Sequence, residues 1–359
     1  MHAFAGRAAG RRSHGGGRFL GTAIWAGAVA SAGWAAVRAG GLERGVPAVQ
    51  VMAFTPYAAA GSVVPLGAAL ATRRWGAALL TAGATATLAT SVLPRALRAR
   101  TGRTANEEPD HPGRPLRVMT ANLLHGDADP AGIVRLVRQE RVDLLAMQEY
   151  TPQAECGLLD AGLAAALPHR VSRPAPGGHG SALYSRYPLR DTGVRWAATG
   201  FGQVLAMLEV PQAYPVDVTS VHLSSPADVA RTRDWAADLA NQPGADPAGP
   251  VRLMLGDFNA TLDHALLRKL LRSGYADAAD TAGAGLAPTW PYRQWFVPRV
   301  TLDHVLVDTR IRVGRVSAHR VPGSDHRALI ADLILPASRR ANQPAAAGRS
   351  VGWSAQARS

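Results

Sequence analysis

Hydrophobic positions along this chain fall into two regimes. Up to about residue 100 they run without charged interruption: 19–37, 46–72 and 75–94 contain no Asp, Glu, Lys or Arg. Each stretch approaches or exceeds the ~20 residues that a helix needs to cross a hydrocarbon core. Alanine makes them only moderately apolar, and Pro47, Pro56 and Pro65 interrupt the second. A signal peptide would account for the first stretch alone, and a buried helix of a soluble protein for any one of them. Three in succession, with arginines at their ends, predict three transmembrane helices and a membrane anchor over residues 1–100.

Residues 101–115 (TGRTANEEPDHPGRP) are polar, aperiodic and contain Pro and Gly, the composition of a linker. From 116 to 335 short apolar runs alternate with amphipathic segments. The runs at 116–121, 142–147, 182–184, 204–210, 216–221, 251–255, 302–307 and 329–333 read as strands. Asp129-Pro130 has the cap-then-proline order of a helix start, and that helix would carry Ile133, Val134 and Val137. Ser225-Pro226 reads the same way, opening a helix to about Ala240, and 265–271 reads as another. The pattern is that of one α/β domain. The stretch 336–359, rich in Ala, Arg, Ser and Gly, has the composition of a disordered tail.

Charge alters this picture once it is located. Of the formal +13, residues 1–105 supply +11 (twelve Arg, one Glu) and 338–359 add four Arg, leaving 106–337 at −2. A domain that grips nucleic acid through many phosphates would carry a basic stripe, so a generic polyanion binder is disfavoured. Arginines also bear on topology. Arg7, Arg11, Arg12 and Arg18 hold the N-terminus inside and Arg73-Arg74 form a second inside loop, whereas Arg95, Arg98, Arg100 and Arg103 argue the other way. Long domains translocate largely regardless of such charge. The expectation is therefore a multi-pass protein of the cell membrane with its α/β domain extracytoplasmic. Cys156 is the single cysteine, which excludes an internal disulfide framework and a thiolate metal cluster. Charge-free spans argue against a membrane transporter.

Candidate chemistry gathers at predicted strand ends. Asn122 follows the first strand, Gln148-Glu149 the second, and His222 ends the strand 216–221. Gly256-Asp257-Phe258-Asn259 ends 251–255, Asp303-His304 lies in another strand, and Ser324-Asp325-His326 precedes the last. Rigid scaffolds place working groups there. Carboxylates and amides are costly to bury without partners, so their recurrence calls for a shared one. A hard divalent cation, Mg²⁺ or Mn²⁺, prefers such oxygen ligands. Without a cysteine cluster or an HExxH motif, structural and protease-type zinc sites are disfavoured. Singly, each group has an ordinary explanation: Asn122 as a turn former, His222 as a core histidine, GDFN as a tight turn, Asp325-His326 as a cap. Their order is what is specific.

That order resembles the endonuclease/exonuclease/phosphatase superfamily, with its deoxyribonuclease I-like fold, and the chain is similar to a membrane-anchored bacterial member. The matching pieces are VMTANLL (118–124), LLAMQE (144–149), SALYSRYPL (181–189), TSVHL (219–223), LMLGDFNAT (253–261), LDHVLV (302–307) and GSDHRAL (323–329). The resemblance implies an α/β (α+β) four-layer sandwich of two mixed β-sheets flanked by helices, with the site at one edge. It implies a metal-dependent phosphoester hydrolase in which Glu149 is the principal metal ligand, with Asn122 and Asp325 beside it. It further implies that Asp303 orients His326 at the phosphate, that Asp257 acts on the attacking water, and that Asn259 and His222 hold phosphate oxygens.

Two positions depart from the family. Abasic-site endonucleases carry an acidic residue where Leu124 stands, and the tyrosine that often follows the penultimate Asp is here His304. The substrate expected is thus a phospholipid head group or small phosphate ester ahead of nucleic acid, with the membrane as the other partner and no protein partner evident. A catalytically silent, membrane-tethered binding protein is the alternative; loss of Glu149, Asp257 or His326 would have favoured it, and all three are present. Asp263 and His264 either cap the next helix or reach the substrate. The aromatic loop Pro288-Thr289-Trp290-Pro291, with Trp295 and Phe296, lines the substrate mouth, stacks on a base, or packs within itself.

Overall fold

The computed structural model describes residues 14–97, 113–294 and 296–338. Most of the expected linker and the tail beyond 338 lie outside the described residues, as do Arg7, Arg11, Arg12, Arg98, Arg100, Arg103 and Trp295. Two apolar stretches form long helices, α1 (His14–Gly40) and α5 (Trp75–Leu97). Both are long and apolar enough to cross a membrane, and only 22% and 33% of their most apolar windows is buried. A soluble core helix would be mostly buried. The expectation of a third continuous span is not met: residues 46–72 break into α2 (Ala48–Met52), α3 (Thr55–Gly61) and α4 (Val63–Ala71). Proline is the physical reason, since it has no N–H to donate and its ring crowds the preceding turn. Pro47 sits at the N-cap of α2, and Pro56 falls in the first turn of α3. The broken segment still makes the return path. Trp34 Nε1 donates to Thr55 Oγ1 at 3.0 Å, and Pro65 packs on Gly27, so α3 and α4 run back along α1.

The second unit begins with β1 (Arg114–Asn122), two residues before the predicted start. One sheet has the order β11-β12-β1-β2-β4-β3, with β2 (Leu144–Gln148), β3 (His169–Arg173), β4 (Ser181–Ser185), β11 (Arg312–Arg320) and β12 (Arg327–Leu335). The other is β5-β6-β7-β8-β10-β9, with β5 (Leu189–Trp196), β6 (Gly202–Leu208), β7 (Val216–His222), β8 (Val251–Asp257), β9 (Tyr275–Asp277) and β10 (Asp303–Asp308). Both are mixed: β1 pairs parallel with β2 and β7 with β8, while neighbouring pairs are antiparallel. The sheets pack face to face through Val118, Leu144, Leu183, Val218, Leu253 and Val305, all fully buried, each contributing about 1.5–3 kcal/mol by leaving water. Helices α6 (Pro130–Gln139) and α7 (Pro152–Asp160), with the short α8 (Leu163–Ala166), cover the first sheet, and α9 (Val229–Ala240) and α10 (Ala265–Arg272) the second. This is the expected sandwich of two mixed sheets flanked by helices.

Local signals explain the helix starts. Asp129 caps α6 by accepting from the N–H groups of Ala131 and Gly132, with Pro130 at the first position. The predicted start at Ser225-Pro226 is corrected: α9 opens at Val229, where the Asp228 carboxylate accepts from Arg231 N.

One buried carboxylate ties the two units together. Asp263, just before α10, accepts two bonds from Arg95 (Nη1 to Oδ2 at 2.8 Å, Nη2 to Oδ1 at 2.7 Å) and a third from Arg38 Nε at 2.8 Å. The last turn of α1 and the last turn of α5 are thereby fastened to the same residue. His264 Nε2 lies 2.9 Å from the carbonyl oxygen of Val49 in α2. Neither Asp263 nor His264 caps α10 with its side chain.

Burial opposes the charge of Asp263, but Arg95 and Arg38 outweigh it and hold the carboxyl below its ordinary value. A carboxyl lowered in this way contributes stability that is present above its unfolded pKa, about 3.9, and is lost as pH falls through the folded value. Asp263→Asn leaves two guanidinium groups without their counter-charge and is expected to cost about 3–5 kcal/mol at neutral pH. The gap from wild type should close below about pH 4. Thermal unfolding of both proteins in detergent across this range checks the claim, and equal Tm values at pH 7 would overturn it.

Candidate active site

Strand ends from both sheets converge on one edge of the sandwich. Asn122 is the last residue of β1, and Glu149 follows β2. In the other sheet His222 ends β7 beside Asp257, the end of β8, and Asp303 at the start of β10 is the cross-strand partner of Asp257. Asp325 and His326 immediately precede β12. Gly256 makes this convergence possible: its φ is 151°, and a Cβ there would fall 1.9 Å from the carbonyl oxygen of Val221, so a side chain would push β7 and β8 apart.

Glu149, His222, Asp257, Asn259, Asp325 and His326 line one cavity of about 880 Å³. Asn122 and Asp303 stand behind it and join it through hydrogen bonds. Asn122 Nδ2 donates to Glu149 Oε1 at 3.0 Å and to Asp257 Oδ2 at 3.1 Å, spacing two carboxylates with one amide. Asp303 Oδ2 lies 2.8 Å from His326 Nδ1. His326 Nε2 is 3.8 Å from Asp257 Oδ2, beyond hydrogen-bond reach. Asn259 donates its backbone N–H to Asp257 Oδ1 at 2.8 Å and its amide to the Leu223 carbonyl at 2.9 Å. His222 Nδ1 lies 3.0 Å from the Gly178 carbonyl oxygen, and its ring sits against Phe201.

Backbone strain concentrates here. Leu124, His125, Glu149 and Asn259 have φ of 48°, 53°, 56° and 46°, a region that side-chain-bearing residues visit at a cost of about 1–3 kcal/mol. Asparagine tolerates it best; Glu149 accepts it in a turn where its carboxylate meets the His125 N–H at 2.6 Å.

Burial and neighbouring charge divide the titratable groups. Burial pushes the Asp257 carboxyl up, the charge of Asp303 adds to it, and it reaches about 7. Burial works against the His326 cation, but Asp303 and Asp257 outweigh it and carry the ring up to about 10. His222 goes the other way: burial lowers it despite Glu149 nearby. For Glu149, burial opposes ionisation, yet His222, the His125 N–H and the Asn122 amide together hold it below its usual value. Because His222 is itself pushed toward neutrality, the two N–H donors are the dependable partners of that carboxylate.

Positive charge is short at this edge. Among the described residues no lysine or arginine forms a hydrogen bond or ion pair with Glu149, Asp257, Asp303 or Asp325. Asp303 Oδ1 and Asp325 Oδ1 are buried with no hydrogen-bond partner, a state that costs about 1–3 kcal/mol per group, and more for charged groups. Asp257, Asp303 and His326 each bring a ligand atom within 4.8 Å of the others, close enough to share a metal ion. Hard oxygen donors in this number suit Mg²⁺ or Mn²⁺.

All eight residues singled out in the sequence thus meet at one place. His125, a further member of the site, was missed, whereas the loop that carries Trp290 was singled out. His125 brackets Glu149, its ring Nδ1 lying 3.0 Å from Oε2; its only signal was its place three residues after Asn122. Trp290 combines two of the readings offered for the aromatic loop, lining the cavity while donating Nε1–H to Asp325 Oδ2 at 3.0 Å. His304 is structural: Nδ1 lies 2.7 Å from Asp277 Oδ2 and Nε2 2.8 Å from the Ala260 carbonyl oxygen.

A family model described as the Endonuclease/Exonuclease/phosphatase family matches residues 119–326. The fold is similar to that of an endonuclease/exonuclease/phosphatase from Beutenbergia cavernae DSM 12333, with TM-score 0.51 and 18% identity over 62% of this chain and 72% of that one. It is also similar to D. rerio TDP2 complexed with single strand DNA product (TM-score 0.49, 15% identity, 61% and 98% of the two chains). TDP2 from C. elegans is comparable (TM-score 0.48, 17% identity, 64% and 78%). At these identities the likeness is one of fold. Among curated proteins none matches the chain.

The contact between Asp303 and His326 can be tested without any substrate. In wild type the His326 imidazole is expected to stay protonated through neutral pH and to titrate near 10. Asp303→Asn removes the main charge that holds the proton, so the midpoint should drop toward the ordinary histidine value of about 6.5 or below. Nitrogen NMR of selectively labelled histidine reads both midpoints, and an unmoved midpoint would refute the coupling.

Proposed function

This chain belongs to the endonuclease/exonuclease/phosphatase family, and on that premise we propose that it is a membrane-anchored, divalent-metal-dependent hydrolase of phosphoester bonds. The observation that carries the reading is the group of carboxylates that, among the described residues, gathers at one edge with no lysine or arginine bonded to it. Glu149 would be the principal metal ligand, with Asn122 and Asp325 beside it. A divalent ion there supplies concentrated positive charge to phosphate oxygens and makes a nearby water easier to deprotonate.

The chain's own groups do the rest. Asp257, with a carboxyl that titrates near neutrality, is poised to take a proton from the attacking water. His326 is held cationic by Asp303 and would face the phosphate as a charge and hydrogen-bond donor, stabilising the transition state more than the ground state. Asn259 and His222 would hold phosphate oxygens. Phosphoryl transfer is driven mainly by such positioning and charge stabilisation.

For the anchor, α1 and α5 would span the membrane and α2–α4 would form the return path. Exposed Phe19, Leu20, Val29, Val63, Val64 and Leu79 on these helices support that reading, since such surface is costly in water. The α/β domain would face outside, with the N-terminus and the Arg73-Arg74 turn inside. The substrate would be a phospholipid head group or a small phosphate ester ahead of nucleic acid, given the −2 balance of 106–337.

Purified full-length protein is expected to hydrolyse at least one of bis-p-nitrophenyl phosphate, phosphoinositides, sphingomyelin, RNA or plasmid DNA, to stop in excess chelator, and to recover with Mg²⁺ or Mn²⁺. Glu149→Gln should shift the metal titration to higher concentration as well as slow turnover. Intact cells expressing the chain should act on impermeant bis-p-nitrophenyl phosphate. Full activity in chelator sinks the metal mechanism, an unshifted titration removes Glu149 as ligand, and activity only after lysis reverses the orientation.

A further inference from the structure

The active-site cavity is not closed by the α/β domain alone. Its lining includes Val49, Gln50, Ala53 and Phe54, residues of α2 and of the turn into α3. Val49 is buried in the same apolar cluster as Phe258 and Leu262 of the α/β domain. This wall is apolar apart from Gln50, whose amide nitrogen donates to the Pro226 carbonyl at 2.6 Å and whose Oε1 is buried with no partner. The cavity therefore has two chemically different sides, one of carboxylates and histidines and one of apolar groups from the N-terminal helices.

We propose that the N-terminal helices supply the subsite that receives an apolar substituent on the phosphoester, and that Asp263 positions it. The inference rests on the phosphoesterase reading above and deepens it by naming the substrate class: a phosphoester with an alkyl or acyl chain close to phosphorus. Such a chain would lie along Val49, Ala53 and Phe54 while its phosphate meets His326 and the strand-end carboxylates. Phe54 and Val49 are the specificity determinants. Asp263 touches no substrate; it acts through α1 and α5, whose ends it fastens through Arg38 and Arg95, and through its neighbour His264, which holds Val49.

The test uses full-length protein in nanodiscs with Mn²⁺ and a series of methyl, butyl and octyl p-nitrophenyl phosphates, which share one leaving group. Wild-type kcat/KM is expected to rise about tenfold or more from methyl to octyl, carried by KM, as methylenes leave water. Phe54→Ser and Asp263→Asn should each reduce the octyl-to-methyl ratio to within about threefold. Phe54 is partly exposed, so its variant keeps the test alive if Asp263→Asn fails to fold. A hexadecyl ester embedded in the nanodisc bilayer separates the sources. Turnover there that Phe54→Ser weakens supports the subsite with the chain drawn from the membrane, and chain-length preference only from solution supports it with a soluble ester. Hydrolysis of the methyl ester with no chain-length dependence, or an octyl-to-methyl ratio that neither variant changes, overturns the subsite and leaves the phosphoesterase reading standing. Absence of metal-dependent hydrolysis of every ester defeats the phosphoesterase reading itself, and the subsite with it.

Discussion

The structure depends on a shortage of positive charge at one edge of the sandwich. Glu149, Asp257, Asp303 and Asp325 are drawn together from the ends of strands in both sheets, and among the described residues only histidines and N–H groups answer them. Gathering like charges in a low-dielectric region costs several kcal/mol. The sandwich core supplies the rigidity that keeps them there. Gly256, the positive-φ residues Glu149 and Asn259, and the Asn122 amide between two carboxylates all serve to hold the arrangement. A divalent cation is the simplest group that would relieve it.

Two other buried acids show what relief looks like when the protein provides it. Asp263 is matched by two guanidinium groups, and Asp277 by a histidine whose second nitrogen also has a partner. Neither has an oxygen left without a bond. Asp303 and Asp325 each do. Unpaired carboxylate oxygens also occur away from the cavity, at Glu43 and Asp238; what sets this edge apart is that four carboxylates converge on it, which sequence composition alone does not show. The same comparison turns the Asp303–His326 pair, with its raised histidine beside a raised Asp257, into a unit set up for chemistry.

How much of this was legible in the sequence follows from burial. The eight strands read from apolar runs are the inner strands of the two sheets, while the four that were missed, β3, β5, β9 and β11, are all edges. An edge strand faces solvent along one side and carries charge there, as in RVGRVSAHR of β11 and LRDTGVRW of β5. The strand-end residues could be read because a polar group at the end of a buried run is unusual. Asp263 could not, because its partners lie 225 and 168 residues away. The prolines of 46–72 carry the signal for the broken second span, while its charge-free length points the other way. His125 and Trp290 enter the site through loops, where periodicity carries no information.

Where a cation settles decides the chemistry of this edge. Crystals of the full-length protein grown with Mn²⁺, with diffraction collected at the manganese edge, would locate it directly. The expected result is an anomalous peak at coordination distance, about 2.0–2.2 Å, from a carboxylate oxygen of Glu149 and lost in Glu149→Gln. A cavity with no peak at saturating Mn²⁺, or a peak held by Asp257, Asp303 and His326 alone, would contradict it.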